Sequence, residues 1–139
     1  MNNTELEKNK AVINQFDEAC IEQNNSAVLD ELVSDEVINH ASRPGTPNGK
    51  ESFLHFLSAL HSGLSEIKVK ALHQVAEHDL VVTQKIISGK HTGNLFGVQG
   101  NGAYISFEAI EIIRLENGKY MEHWVQSNMA QVLGMSSDH

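Results

Sequence analysis

Toward the C-terminal end of this chain, acids, amides and aromatic rings alternate with aliphatic side chains: Phe107, Glu111, Ile113, Glu122, Trp124, Gln126 and Asn128. A carboxyl can carry a proton, an amide can donate and accept hydrogen bonds, and an indole offers a flat wall with one N–H donor. They share a face if Asn117-Gly118 forms a two-residue turn, the strongest short-range hairpin signal. Counting back from that turn pairs Ile113 with Glu122, Glu111 with Trp124, Ala109 with Gln126, and Phe107 with Asn128. The other face then carries Arg114, Ile112, Ile110 and Glu108 against Met121, His123, Val125 and Ser127. Polar groups set among apolar ones suit the lining of a pocket for a small organic molecule. The alternative is a half-buried sheet whose polar groups bond to helices or water, and one bulge would exchange the two faces.

The elements that must position these residues follow from periodicity. Thr4 and Glu7 read as a capping box ahead of Leu6, Ile13, Phe16 and Cys20, an apolar stripe that predicts a helix ending at Gln23-Asn24-Asn25. Ser26 caps a short second helix carrying Val28, Leu29 and Leu32, closed by Ser34-Asp35. A short strand is expected over residues 36–40, then a loop over 41–49 containing Pro44-Gly45 and Pro47. Thr46 as N-cap and Pro47 at the first helical position open a third helix, with Phe53, Phe56, Leu57 and Leu60 on one face and Gly63 at its end. From Ser65 the period becomes two, giving one strand to Glu77, a second over 80–92, a Gly-rich loop over 93–102, a third over 103–115 and a fourth over 119–132. The expected architecture is one α+β domain over residues 1–139, with three helices covering one face of an antiparallel sheet.

The bulk properties narrow the partners. Eighteen acidic against ten basic side chains give a formal charge of −8 with no basic stripe, which argues against nucleic acid as a partner. The first ten residues are polar, and no apolar run approaches the roughly 18 residues that span a bilayer, so no membrane partner and a cytoplasmic location are expected. Cys20 is the single cysteine and continues the first helix's apolar stripe, so it reads as a core thiol rather than a nucleophile. The eight histidines show no H-E-x-x-H spacing, and the Gly-rich loop lacks the Lys-Ser/Thr ending of a P-loop, so neither metal nor nucleotide is expected.

The run Gly118-Lys119-Tyr120-Met121-Glu122-His123-Trp124 resembles the G-K-x-x-E-x-W end of the SnoaL-like polyketide cyclase family, within the nuclear transport factor 2-like superfamily. Asn39-His40 after the second helix, Gly89-Lys90-His91-Thr92-Gly93 as a G-x-H-x-G match, and the order of elements extend the likeness over nearly the whole chain. The resemblance implies a cone-shaped α+β barrel, a homodimer, no cofactor and a largely apolar cavity. It also implies ring closure by an intramolecular aldol step on a small hydrophobic or carbonyl-containing molecule. Removing a proton beside a carbonyl needs a positioned base and a donor for the developing oxygen charge in a dry site.

The family's cyclases carry an aspartate four residues after the tryptophan as general acid/base. Here that place is Asn128, whose amide orients a carbonyl but does not exchange a proton at neutral pH. His40 and His91 match cavity-lining positions and can titrate near neutrality, which makes them candidate acid/base groups. Glu111 matches, loosely, an acid that donates to the substrate oxygen in ketosteroid isomerases of the same superfamily, a role that a carboxyl raised by an apolar pocket can fill. An ordinary ion pair or a solvated edge is the competing reading for Glu111, and core packing for Trp124. Two functions remain open: a cofactor-free cyclase or isomerase, and a non-catalytic ligand-binding or dimerisation module of the same fold.

Overall fold

The computed structural model describes residues 3–42 and 45–134, so Pro44 of the predicted loop lies outside the described residues. The first helix, α1 (Asn3–Phe16), runs directly into a π-helical turn, Asp17–Glu22, and stops where the sequence predicts. A 3₁₀ turn (Ser26–Val28) leads to α2 (Leu29–Leu32) and then to β1 (Val33–Asn39), which takes in the Ser34-Asp35 pair expected to end the helix. The third helix, α3 (Lys50–Gly63), begins later than Thr46-Pro47 because the Asn39 N–H donates to the Asn48 carbonyl at 2.6 Å. That bond keeps the chain paired to the strand end, and Gly49 takes the N-cap place.

Strands β2 (Leu64–Glu77) and β3 (Leu80–His91) follow as an antiparallel pair. The Gly-rich segment folds into a small hairpin, β4 (Asn94–Leu95) with β5 (Val98–Gln99). Its Leu95 is fully buried against Gly63, where a Cβ would collide with it. Strands β6 (Tyr104–Glu116) and β7 (Lys119–Ser127) are joined by Asn117 and Gly118, both at positive φ (53° and 76°), as a type I′ turn requires. The expected fourth strand ends at Ser127, and residues from Met129 form the short α4 (Met129–Val132).

The sheet order is β1-β7-β6-β3-β2, with β1 parallel to β7 and the other pairs antiparallel. This is the predicted α+β arrangement, helices on a curved and mainly antiparallel sheet, with β1 as a fifth member. The core lies between helices and sheet, built on Ile13, Phe16, Leu29, Leu57, Leu60, Val81, Ile113 and Tyr120. Cys20 belongs to it, as expected. No helix among the described residues is long and apolar enough to cross a membrane.

One irregularity decides which side chains meet. Leu115 pairs with Tyr120, but Arg114 pairs with Glu122, so Met121 is an extra residue in β7. A strand has a side-chain period of two, and one inserted residue sends everything beyond it to the other face. Hence Ile113 lies opposite His123, Glu111 opposite Val125 and Ile112 opposite Trp124. The expected face of Glu122, Trp124 and Gln126 with Ile113 and Glu111 is corrected: those three residues share the outer face with Arg114, Ile112 and Ile110.

Candidate functional site

The inward face holds a continuous chain of polar groups. Just past α1, Asp17 follows Phe16 on the stripe of Ile13, Phe16 and Cys20, and the π turn that begins there keeps it in the core. Strand β3 buries every second residue (Val81, Thr83, Lys85, Ile87), so Lys85 points inward. Its Nζ donates to Asp17 Oδ1 and to Glu111 Oε1, each at 2.8 Å. Glu111 Oε2 lies 3.2 Å from His123 Nε2, and His123 Nδ1 lies 3.0 Å from Asn39 Oδ1. Asn39 Nδ2 donates to Ser52 Oγ at 3.0 Å, and that hydroxyl donates to the Gly49 carbonyl. Side-chain exposure is 4% for Lys85, 6% for Glu111 and 8% for Asp17, against 13% for His123.

Two carboxylates sharing one ammonium away from water cannot be equally comfortable as anions. Burial, aided by the charge of Glu111, pushes Asp17 up to about 6 although Lys85 pulls it down. Burial acts on Glu111 in the same sense, but Lys85 and the His123 hydrogen bond outweigh it and hold Glu111 at about 2. Burial would lower Lys85, yet Glu111 and Asp17 together raise it well above its ordinary value. Glu111 is therefore an ion-paired carboxylate, the competing reading of this residue rather than the raised, neutral acid.

The two shifts act oppositely on stability. The folded chain holds the Asp17 proton more tightly than the unfolded chain, so that contribution is complete below about pH 4 and is lost as pH rises through about 6. The Glu111 contribution is complete above about pH 4.5 and is lost as pH falls toward about 2. Melting temperature followed against pH should fall between about pH 4 and 6 from this source, and Asp17→Asn should flatten that limb alone. An unchanged limb in the variant would contradict the assignment.

The hydrogen bonds fix the ring of His123. Asn39 Oδ1 also accepts the Ala41 N–H at 3.0 Å, which sets the amide orientation and makes His123 Nδ1 a donor. The Nε2 atom faces the Glu111 carboxylate, so both ring nitrogens face hydrogen-bond acceptors. Phe53 flanks it, with ring centroids 5.4 Å apart. Behind Phe53 lies Tyr120, stacked on Phe16 at 5.0 Å.

Of the residues singled out from sequence, Glu111 belongs to this chain, and Phe107 and Ile113 are buried on the same inward face. The others lie elsewhere. His40 Nε2 meets Glu122 Oε2 at 2.8 Å and its ring stacks on Trp124 with centroids 4.7 Å apart, while Arg114 Nε donates to Glu122 Oε1 at 2.8 Å. That outer-face cluster holds Glu122 below the usual carboxylate range, through His40 first and then Arg114. Gln126 is exposed on the same side. His91 is buried with Nε2 2.9 Å from the Val98 carbonyl, tying β3 to the small hairpin. Asn128 is exposed at the N-cap of α4, where its Oδ1 accepts the Glu108 N–H at 2.8 Å.

Sequence reasoning missed Asp17, Lys85, His123 and Asn39. Signals existed for the first two: an acid beside the buried stripe of α1, and a lysine in the apolar phase of β3. Nothing in the hairpin count reveals His123, because the bulge turns it inward. Two surface clefts flank the helices. One of about 210 Å³ lies between the first helical segment and β2, lined by Asn14, Asp17, Glu18, Glu22, Val69 and Ala71. The other, of about 500 Å³, runs along α3 past Leu54, Leu57, Ser58 and His61.

No curated protein matches this sequence. Among solved structures, TsrD from Streptomyces laurentii superimposes with a TM-score of 0.82 at 19% identity, covering 98% of this chain and 99% of that one. IdmH from Streptomyces antibioticus, a candidate polyketide cyclase, gives 0.78 at 22% identity over 91% and 96% of the two chains. An epoxide hydrolase from M. tuberculosis gives 0.68 at 11% identity over 94% and 90%. At such identities these likenesses establish the fold, helices packed on a curved and mainly antiparallel sheet. The sequence model of the SnoaL-like polyketide cyclases matches residues 11–134, nearly the whole of that fold, and the chain belongs to this family.

Proposed function

We propose that the protein is a cofactor-free acid–base catalyst of the cyclase or isomerase type acting on a small carbonyl compound. The observation that carries this is the buried chain Asp17, Lys85, Glu111, His123 and Asn39 inside an apolar shell. Moving charges out of water costs several kcal/mol per ion, and an apolar core of similar volume is often as stable or more so. Of these charged groups, His123 keeps the most exposed edge, so it is the one a substrate would meet. A substrate carbonyl is an acceptor like the Asn39 oxygen and can take the Nδ1–H in its place. Proton donation from the ring to that oxygen, with loss of the neighbouring C–H proton to water, gives the enol from which cyclisation or isomerisation proceeds.

The test uses a bicyclic aromatic ketone deuterated beside its carbonyl, with loss of the label followed by NMR. The wild-type chain should accelerate the loss over buffer, and His40→Ala should match it because His40 lies on the outer face. No acceleration by the wild type with this ketone or with a linear polyketone mimic would defeat the reading. One observation favours a non-catalytic alternative: Asn128, at the family's acid/base place, is exposed and its Oδ1 is occupied by the Glu108 N–H of β6.

We also propose a homodimer formed through the outer sheet face. Ile110 (50% exposed) and Ile112 (37%) lie there beside Trp124, whereas Val125, expected among them, is turned inward by the bulge. An apolar sheet face of this kind favours a cover. Sedimentation should give twice the chain mass at micromolar concentration, and Ile110→Lys with Ile112→Lys should give monomer; a monomeric wild type refutes the dimer.

A further inference from the structure

The buried set has room for one more proton than its fixed pairings explain. Lys85 carries one positive charge and Glu111 one negative, which leaves Asp17 and His123 to balance each other. With both deprotonated the set is an anion, and with both protonated it is a cation. Either state is costly away from water. Neutrality is reached when a single proton sits on one of the two, so they compete for it through Lys85 and Glu111. The two ends also lie in different surroundings. Asp17 lines the cleft between the first helical segment and β2, whereas His123 sits between Asn39 and Glu111 beside Phe53.

We propose that Asp17 is a charge-compensating positioning residue, which takes a proton from water in its cleft when His123 gives one to the substrate. The inference rests on the acid–base reading of His123 above. The balance is simple: the ring loses one proton to the substrate oxygen, Asp17 gains one from water, and Lys85 and Glu111 keep their charges throughout. The groups that face Asp17 are consistent with this. They are Lys85 from β3, Glu111 from β6, Tyr120 from β7, and Glu18, Cys20 and Glu22 from its own helical segment, while β2 lends the cleft only Val69 and Ala71. Lys85 is thus the one cation among them. The elevated proton affinity of Asp17 agrees with a carboxyl poised to accept.

Competition for one proton is reciprocal by thermodynamic necessity, so it is read from both ends without any substrate. In the full chain labelled with ¹⁵N-histidine, Asp17→Asn should weaken the proton affinity of the His123 ring about tenfold or more, and Asp17→Glu should restore it. In the chain labelled with ¹³C at the aspartate carboxyls, His123→Gln should strengthen the proton affinity of Asp17 by a comparable, roughly tenfold factor. In the histidine-labelled chain the exposed His78 serves as an internal reference. Should Asp17→Asn fail to fold, the His123→Gln measurement alone decides. Unchanged titration of His123 in a folded Asp17→Asn chain, or of Asp17 in His123→Gln, overturns the proposal. Failure of the ketone assay with both titration shifts present would instead reject the catalytic reading and leave the coupling standing.

Discussion

Lys85→Met should lower stability by about 3–5 kcal/mol at neutral pH, more than loss of any surface ion pair of this protein. The ammonium is 4% exposed and bonded at 2.8 Å to two carboxylates that are themselves nearly buried. Removing it leaves Asp17 and Glu111 as buried anions with only His123 to offset them. The chain must then protonate a carboxyl, admit water or unfold. Urea unfolding at about pH 7 reads the loss, and at about pH 4 it should shrink because the freed carboxyls take up protons. Adding Asp17→Asn and Glu111→Gln to Lys85→Met should recover most of the stability, since the penalty belongs to uncompensated charge rather than to lost packing. A loss below about 1 kcal/mol in the single variant would show that the ion cluster is solvated in solution.

The second large effect concerns chemistry. His123→Gln should slow ketone deuterium exchange by about 10²–10⁴-fold, the range that a positioned acid or base contributes. A glutamine amide can donate through its nitrogen to one of these acceptors, Asn39 or Glu111, without carrying a titrating proton. Melting temperature should therefore change much less than rate, which separates a proton-handling role from a structural one. His91→Ala would confuse the two, because His91 holds the β4–β5 hairpin through Val98. Exchange undiminished in a folded His123→Gln chain would remove His123 from the mechanism.

Much of the site could be reached by counting along the sequence, and the point where counting fails is specific. Glu111 on the buried phase of β6 follows from its alternation with Phe107, Ala109 and Ile113. The tight turn at Asn117-Gly118 follows from its residue types. From that turn the register is correct through Tyr120 opposite Leu115, and it is wrong from Met121 onward. Hence the count puts Trp124, Gln126 and Glu122 inside, where the structure has His123. His40 and His91 carry family-like spacing, yet one lies outside on Trp124 and the other is bonded to its own hairpin.

The sequence by itself determined the elements, the segregation of helices from sheet, the hairpin and the family, because each rests on local periodicity or on short motifs. Tertiary structure decided which side chains meet. Lys85 is separated by 68 residues from Asp17 and by 26 from Glu111, and His123 by 84 from Asn39, so their assembly depends on strand order and helix docking. A bulge decided the rest: strand side chains alternate with a period of two, so one unpaired residue, energetically minor and without a signature in composition, reverses every assignment beyond it.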